Sequence, residues 1–538
     1  MRPLPALQLL AGLVALALAS TVVVRGNEGT EASPDAAPAE VLTELGEPPA
    51  TAAPSAGPPT EASTDTSAAP SPEPPVPVSR PALQARLEAL LTSPAFAMSG
   101  ATVGVAVRDE HGRAVVDVAS DTPLLPASTM KMVTAASALL TFGAEHRFGT
   151  VAGVTAPVTR NGTVVGDLVL VGSGDPVLGT PTYERWIYPA RPRTPLEELA
   201  DGVVASGVRR ITGAVVGDGN AFIADSVADG WPEHYLWELD ARHITGLTVD
   251  GGLGYTVDER ADPPQVTIEL TEEPARLTAA AFARMLVERG VTIERGARAA
   301  PEASDIVEVV ASVESPPLGD ILRHMVERSD NQVADTLFQT AGVARAGVGS
   351  WAMGELAARA ALATVGVTAR GLAFADGSGL SREDRLTAGF LADLDAAMGS
   401  SPWADVWWDS LAAVGREGTL RNRLRGTIAE GRFLGKTGTL DDVKAVTGVV
   451  LGPGDRRYHL AVVANDARGA DRTAVSVLMD ELVLALVEDL EGCRREPLPV
   501  PSPTASPTAG AATAPATVPP YRLVCPATDE PDDQGDAP

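Results

Sequence analysis

Lysine is nearly missing from this 538-residue chain. Only Lys131, Lys436 and Lys444 occur, and the other 39 of its 42 basic residues are arginine. Arginine stays protonated at any accessible pH, whereas a lysine amine can be tuned until it releases its proton. The few lysines therefore mark places where arginine cannot serve. Other scarcities close off whole classes of function. The two cysteines, Cys493 and Cys525, form no CxxC pair, and the six histidines (His111, His146, His234, His243, His324, His459) are scattered without an HExxH motif. The donor spacing that zinc needs is missing, so no metal and no cofactor is expected. A net charge of −28 denies nucleic acid the basic face it requires. Aromatic residues supply only 4% of a chain that is 45% hydrophobic, which leaves Ala, Val and Leu to build the core.

What is present begins with an uncharged apolar run, Pro3 to Val24, between Arg2 and Arg25. About 20 such residues suffice to cross a bilayer, while Ala17-Leu18-Ala19 resembles a small-residue cleavage site. Residues 1–26 are thus a signal peptide or a retained membrane anchor, and either one exports the rest. Residues 27–80 and 496–538 are rich in Pro, Ala, Ser and Thr, the second ending in the acidic "DEPDDQGDAP". Such segments bury too little to offset their ordering entropy, so a disordered linker and tail are expected. Export would allow Cys493 and Cys525 to join and tie down the tail; two free thiols is the other reading.

The folded part is then 81–495. Helical spacing marks "PALQARLEALLTSP", and two strands flank a turn at His111-Gly112. "TAPVTRNGTVVGDLVLVGSGDP" has a hairpin pattern around Asn161-Gly162. Near the end, "FLGKTGTLDDVKAVTGVVLGPGDRRYHLAVVAND" supplies strands and "TAVSVLMDELVLALVEDL" a closing helix. The mixture points to an α/β (α+β) body in two parts, 81–152 and 305–495, interrupted by a strand-rich insertion at 153–304.

Three short motifs carry chemistry. In "PASTMKMVTAASALL", Ser128 and Lys131 are three apart at the start of a helical run, so they share a face. A serine hydroxyl needs a base to become a nucleophile, and a lysine buried beside another cation is lowered toward ~7–8, where it can act as one. Ser329-Asp330-Asn331 interrupts a second helical pattern; there a hydroxyl could relay a proton and an amide could hold a substrate. Lys436-Thr437-Gly438-Thr439 lies on a strand, able to bind a carboxylate and to repel charge from Lys131. Singly, each fits a capped helix, a polar turn or a surface strand. Their joint appearance by chance is on the order of one in a thousand.

Together the motifs resemble those of the serine penicillin-recognising enzymes. With 197 residues between Lys131 and Ser329, the chain is similar to the class C low-molecular-mass penicillin-binding proteins of type 4, the serine D-Ala-D-Ala carboxypeptidase/endopeptidase family. "RFGT" (147–150), "GSGDPVL" (172–178) and "DGSGLSR" (376–382) agree, the last two as structural or cleft-lining loops. The resemblance implies a penicillin-binding transpeptidase-like domain. Ser128 would be the nucleophile, Lys131 its base and Ser329 a proton relay. Asn331, Lys436, Thr437, Gly438 and Thr439 would bind substrate, with backbone N–H groups of Ser128 and Thr439 as oxyanion hole. It also implies peptidoglycan stem peptides as partners, β-lactams as inhibitors, no cofactor, and an extracytoplasmic place of work. Two rivals remain at this point. A β-lactamase would need a carboxylate for fast deacylation, for which Glu417 is the nearest candidate, though it reads as a loop charge. A silent wall-binding or β-lactam-sensing scaffold could dispense with turnover.

Overall fold

Period-two alternation sorts the side chains of the main sheet between two cores. Along Arg457–Asn465, residues Tyr458, Leu460, Val462 and Ala464 enter one cluster, while Ala461 and Val463 enter the other. Thr102–Asp109 divides Val105 and Val107 from Ala106, and Val443–Leu451 divides Val446 and Val450 from Ala445 and Val449. Strands apolar on both sides need cover on both sides. The computed structural model describes residues 23–24, 81–96, 100–223, 226–497 and 521–525. It places these strands in a six-stranded antiparallel sheet, in the order Ala412–Ala413, Phe433–Leu440, Val443–Leu451, Arg457–Asn465, Thr102–Asp109, Ala114–Val118. Pro81–Leu91 and Ala470–Leu490 cover one face, through Leu83, Leu87, Leu478 and Leu482 among others.

The other face carries Met130–Phe142, in which every residue from Met130 to Leu139 is buried. A helix apolar on nearly all sides belongs in a core. It is packed against Leu318–Arg328, Asn331–Ala346, Trp351–Ala363 and Ala388–Met398.

The insertion builds its own sheet, in the order Ala297–Ala299, Val215–Asp218, Leu168–Gly172, Gly149–Val154, Glu308–Glu314. Leu196–Ala205 and Pro274–Glu288 pack on it through Leu196, Leu199, Val203, Phe282 and Leu286. The join expected at 152/153 falls inside Gly149–Val154, which pairs antiparallel with Glu308–Glu314. The chain therefore leaves and re-enters along neighbouring strands.

The hairpin expected around Asn161-Gly162 is present, and the expectation for the tail is corrected. The turn at Asn161-Gly162 forms, with Gly162 at φ +78° and its N–H on Thr159 O at 2.9 Å. The flanking segments pair antiparallel around it, with Thr159 N on Thr163 O at 3.0 Å and Thr155 N on Asp167 O at 3.1 Å. Thr163–Val164 runs parallel to Arg210–Ile211, and Leu168–Gly172 pairs with Gly149–Val154. Burial decides this pairing, because Leu168 and Leu170 share a core with Ala152 and Val154. The tail is not wholly without structure. Tyr521–Val524 pairs with Arg494–Pro497, and Cys493 is bonded to Cys525. Arg495 lies 4.2 Å from the Tyr521 ring centroid and donates to Glu481 and Glu488 of the closing helix. The signal or anchor expected at 1–26, apart from Val23–Val24, and the linker at 27–80 lie outside the described residues, as does most of the tail. Among the described residues, no helix is long and apolar enough to cross a membrane.

One buried polar contact ties the Ala388–Met398 helix to the sheet. Asp395 Oδ1 accepts from Trp407 Nε1 at 2.8 Å, and Oδ2 meets His459 Nδ1 at 2.7 Å, all three residues being buried. Removing the Asp395 carboxylate leaves buried donors without their acceptor, at a cost of about 1–3 kcal/mol. Asp395→Ala is expected to lose that much stability in guanidinium titration. A midpoint equal to that of the unaltered protein would show the contact to be dispensable.

Candidate active site

Ser128 sits in a 3₁₀ turn, Ala127–Thr129, that runs straight into Met130–Phe142. The turn is strained and pinched. Ala127 has φ +47°, a region disfavoured for residues bearing a Cβ. Gly379, at φ +84°, lies so close that a Cβ there would overlap the Ala127 carbonyl oxygen. A Cβ on Gly438 would stand 2.6 Å from Pro126 O. Two glycines, one from the 376–382 loop and one from the Phe433–Leu440 strand, thus let backbone close around the serine.

Lys131 is 0% exposed. Its Nζ lies 3.1 Å from Ser128 Oγ, 2.6 Å from Asn331 Oδ1 and 2.8 Å from Ser378 O. The Asn331 amide nitrogen donates to Asp240 O at 3.0 Å, which turns its oxygen toward the lysine. Asn331 Oδ1 and Ser378 O can only accept. A neutral amine has two N–H bonds and one lone pair; the two acceptors take the N–H bonds and leave the lone pair for the proton of Ser128.

The second pair lies on the other motifs. Ser329 ends the Leu318–Arg328 helix at φ +61° and ψ 40°, and Asp330 caps the next helix through Val333 N at 3.2 Å. Ser329 Oγ accepts from Lys436 Nζ at 2.9 Å, and Lys436, 1% exposed, also donates to Thr437 O at 2.7 Å. Farther along the strand, Thr437 Oγ1 donates to Thr419 Oγ1 at 2.8 Å, and the exposed Thr439 accepts from Lys444 at 3.1 Å. A cavity of about 490 Å³ opens beside Ser329 and Asn331, lined also by Tyr188, Leu239, Asp240 and Arg242 of the insertion.

Burial lowers Lys131 to about 8, against the upward pull of Asp335, Asp376, Asp330 and Asp384. Burial lowers Lys436 well below the usual lysine range, and the charge of Lys131 lowers it further. Loss of water is the main cause at both amines, and the repulsion between them acts on the pair. Two positive charges in one dry cleft disfavour each other, so the site favours one proton over two on the pair.

Sequence reasoning missed the partner on Ser378. The "DGSGLSR" segment reads as a loop, and Asp376 folds it by accepting from Ser378 N, Gly379 N and Ser381 N at 3.0, 2.6 and 2.7 Å. An Asp-Gly-Ser run announces such a turn. Nothing in it announces that the Ser378 carbonyl will face a lysine 247 residues away in sequence. Trp231 of the insertion braces the same carboxylate through Nε1 at 2.7 Å. Glu417, the carboxylate considered above, is exposed.

The family model described as "D-Ala-D-Ala carboxypeptidase 3 (S13) family" matches residues 83–270 and 256–486. The D-alanyl-D-alanine carboxypeptidase of Actinomadura sp. (strain R39) is 33% identical over 475 residues, covering 76% of this chain and 84% of that protein. Carboxypeptidase DacB of Mycolicibacterium smegmatis is 31% identical over 478 residues, covering 87% and 95%. Penicillin binding protein 4 (dacB) from Haemophilus influenzae has a similar fold, with a TM-score of 0.62 at 21% identity, over 74% of this chain and 98% of that one. Its complex with a β-lactam gives 0.58 at 20% identity over the same shares.

The placement of Lys131 predicts a pH dependence. Only the neutral amine can take the serine proton, so reactivity at Ser128 should rise with pH and level off above about 8. Acylation by a fluorescent penicillin, followed from pH 6 to 10 on the ~1-unit scale of such shifts, checks this. A flat profile would remove Lys131 from the role of base.

Proposed function

Because the chain belongs to the D-Ala-D-Ala carboxypeptidase 3 (S13) family, we propose that its two Ser–Lys pairs divide the cleavage of a peptidoglycan stem peptide between them. Ser128 Oγ attacks the carbonyl carbon of the bond joining the two terminal D-alanines, and its proton passes to the lone pair of Lys131. Backbone N–H groups of Ser128 and Thr439 receive the developing oxyanion, a contribution of a few kcal/mol. The C–N bond then breaks. The departing D-alanine amine takes a proton by way of Ser329; the proton that Lys131 took from Ser128 replaces it by way of Lys436, and Lys131 is neutral again. Water, deprotonated by Lys131, next attacks the ester on Ser128, and the same proton passes to Ser128 Oγ as the shortened peptide leaves.

Binding falls to the remaining residues. Asn331 orients the acyl part, Lys436 and Thr437 hold the terminal carboxylate, and Gly438 lets the substrate backbone lie against the strand. The observation that carries this reading is the coordination of Lys131, whose two acceptor-only partners leave Ser128 to its lone pair. β-Lactams, which resemble the terminal dipeptide, enter the same acylation and leave slowly. The enzyme works outside the cytoplasm, on the wall or, with a retained anchor, at the outer face of the membrane. A stem peptide crosslinked to its neighbour presents the same D-alanyl carbonyl, so endopeptidase action uses the same steps.

Purified protein incubated with a pentapeptide ending in D-Ala-D-Ala is expected to release D-alanine. Ser128→Ala should lower the rate by roughly 10⁴-fold or more. Release of bound penicillin over hours favours the wall enzyme, and release within seconds a β-lactamase. Failure to free D-alanine from any stem peptide or crosslinked dimer would leave the scaffold reading.

A further inference from the structure

The "GSGDPVL" loop takes no part in the steps above, yet it lies directly behind them. Gly174 packs so tightly on the Asn331–Ala346 helix that a Cβ would overlap Thr340 Oγ1. Asp175 turns the loop by accepting from Val177 N at 2.9 Å. The carbonyl of Pro176 accepts from Arg191 Nη2 at 2.9 Å. Arg191 is 8% exposed, and its other bonds leave the insertion altogether or hold it in place. Nη2 donates to Gln332 Oε1 at 2.6 Å, Nη1 to Tyr183 OH at 3.0 Å, and Nη1 stands 3.5 Å from Asp330 Oδ2.

Those contacts bracket Asn331. Asp330 precedes it and Gln332 follows it, and Ser329 is the residue before Asp330. Asp330 is gripped from both ends: Oδ1 caps the helix at Val333 N, and Oδ2 meets His324 Nε2 at 3.1 Å as well as Arg191. A buried ion pair is a weak source of stability, since well-packed apolar residues do as well or better. What a planar guanidinium fork adds is fixed direction. Direction matters here, because Ser329 is held in a left-handed conformation that its Cβ disfavours.

We propose that Arg191 is a positioning residue for acylation: by gripping Asp330 and Gln332 on either side of Asn331, it aims the Ser329 hydroxyl at Lys436 and the Asn331 amide at Lys131. The insertion thereby acts on chemistry through the Ser329–Asn331 turn. This rests on the acylation reading given above.

The test is acylation of the full chain by a fluorescent penicillin under single-turnover conditions, separating the limiting rate constant from the half-saturating concentration. Arg191→Met is expected to slow the limiting step about 10- to 100-fold with little change in half-saturation. Adding Asp330→Asn to it should cost little more, since both act through one contact. Arg193→Met, which removes an insertion arginine paired with Glu184 and Glu197, should acylate at the unaltered rate. Should Arg191→Met fold poorly, Arg191→Lys carries the test. It keeps the charge but loses the fork, and is expected to be several-fold slow with an unchanged melting temperature. An unaltered limiting rate in either variant, a loss confined to half-saturation, or multiplying losses in the double variant would overturn the proposal. Failure of the unaltered protein to be labelled would instead strike the acylation reading itself.

Discussion

Lys131 has three neighbours within hydrogen-bond reach, and two of them can only accept. That asymmetry constrains the rest of the catalytic part. For the lone pair to face Ser128, the amine must be neutral, and neutrality requires that water be kept away. The burial of Met130 through Leu139 on almost every side meets that requirement. So does the cover on both faces of the main sheet, which seals the base of the same helix. The four carboxylates around Lys131 work in the opposite direction, raising its affinity for a proton. Burial, then the charge of Asp376, keeps Asp335 and Asp384 well above the usual carboxylate range, which blunts that pull. A balance near neutrality results, and it suits a group that must take a proton and give it back.

The backbone around Ser128 obeys the same constraint from the other side. Ser128 is half-buried beside the buried Lys131 and would, as a nucleophile, have to meet substrate; backbone rather than side chain forms the walls around it. Gly379 and Gly438 approach the Ala127 turn at distances no Cβ would permit. Ala127 and Ser329, both at positive φ, store strain that the surrounding packing maintains. Both strained residues lie within one position of a group assigned to the reaction or are that group.

How much of this is legible in a single sequence follows from the range of each signal. Ser128 and Lys131 are readable because three residues on a helix is a local geometry. Ser329, Asn331 and Lys436 are readable by residue type and order, and the structure puts Ser329 Oγ 2.9 Å from Lys436 Nζ and Asn331 Oδ1 2.6 Å from Lys131 Nζ. The Ser378 carbonyl was hidden because every residue has one. Arg191 was hidden among 39 arginines, distinguished only by its burial. The hairpin around Asn161-Gly162 is readable because turn chemistry is local, and the antiparallel pairing of Gly149–Val154 with Leu168–Gly172 keeps Leu168 and Leu170 in one core with Ala152 and Val154. The paired end of the tail was missed for the converse reason. Tyr521–Val524 sits in a Pro- and Ala-rich surrounding, and what holds it is a cation over a ring and charges on a distant helix.

The insertion is most informative where it is least apolar. Its own core, from Ala152 to Val313, is apolar. Its contact with the Ser329–Asn331 turn is made of Arg191, Arg242, Tyr183, Tyr188, Asp330 and Gln332. Burial opposes the charge on Asp330, yet Arg191, His324 and Arg242 together hold its carboxyl well below the usual range. The carboxylate is therefore charged near neutral pH, and its two oxygens have separate, directed partners. An apolar interface of the same area would tolerate sliding, since packing forces are non-directional. Charged groups with fixed partners do not slide without leaving a buried charge unpaired. A turn that must present one hydroxyl and one amide to two different amines needs the second kind of support.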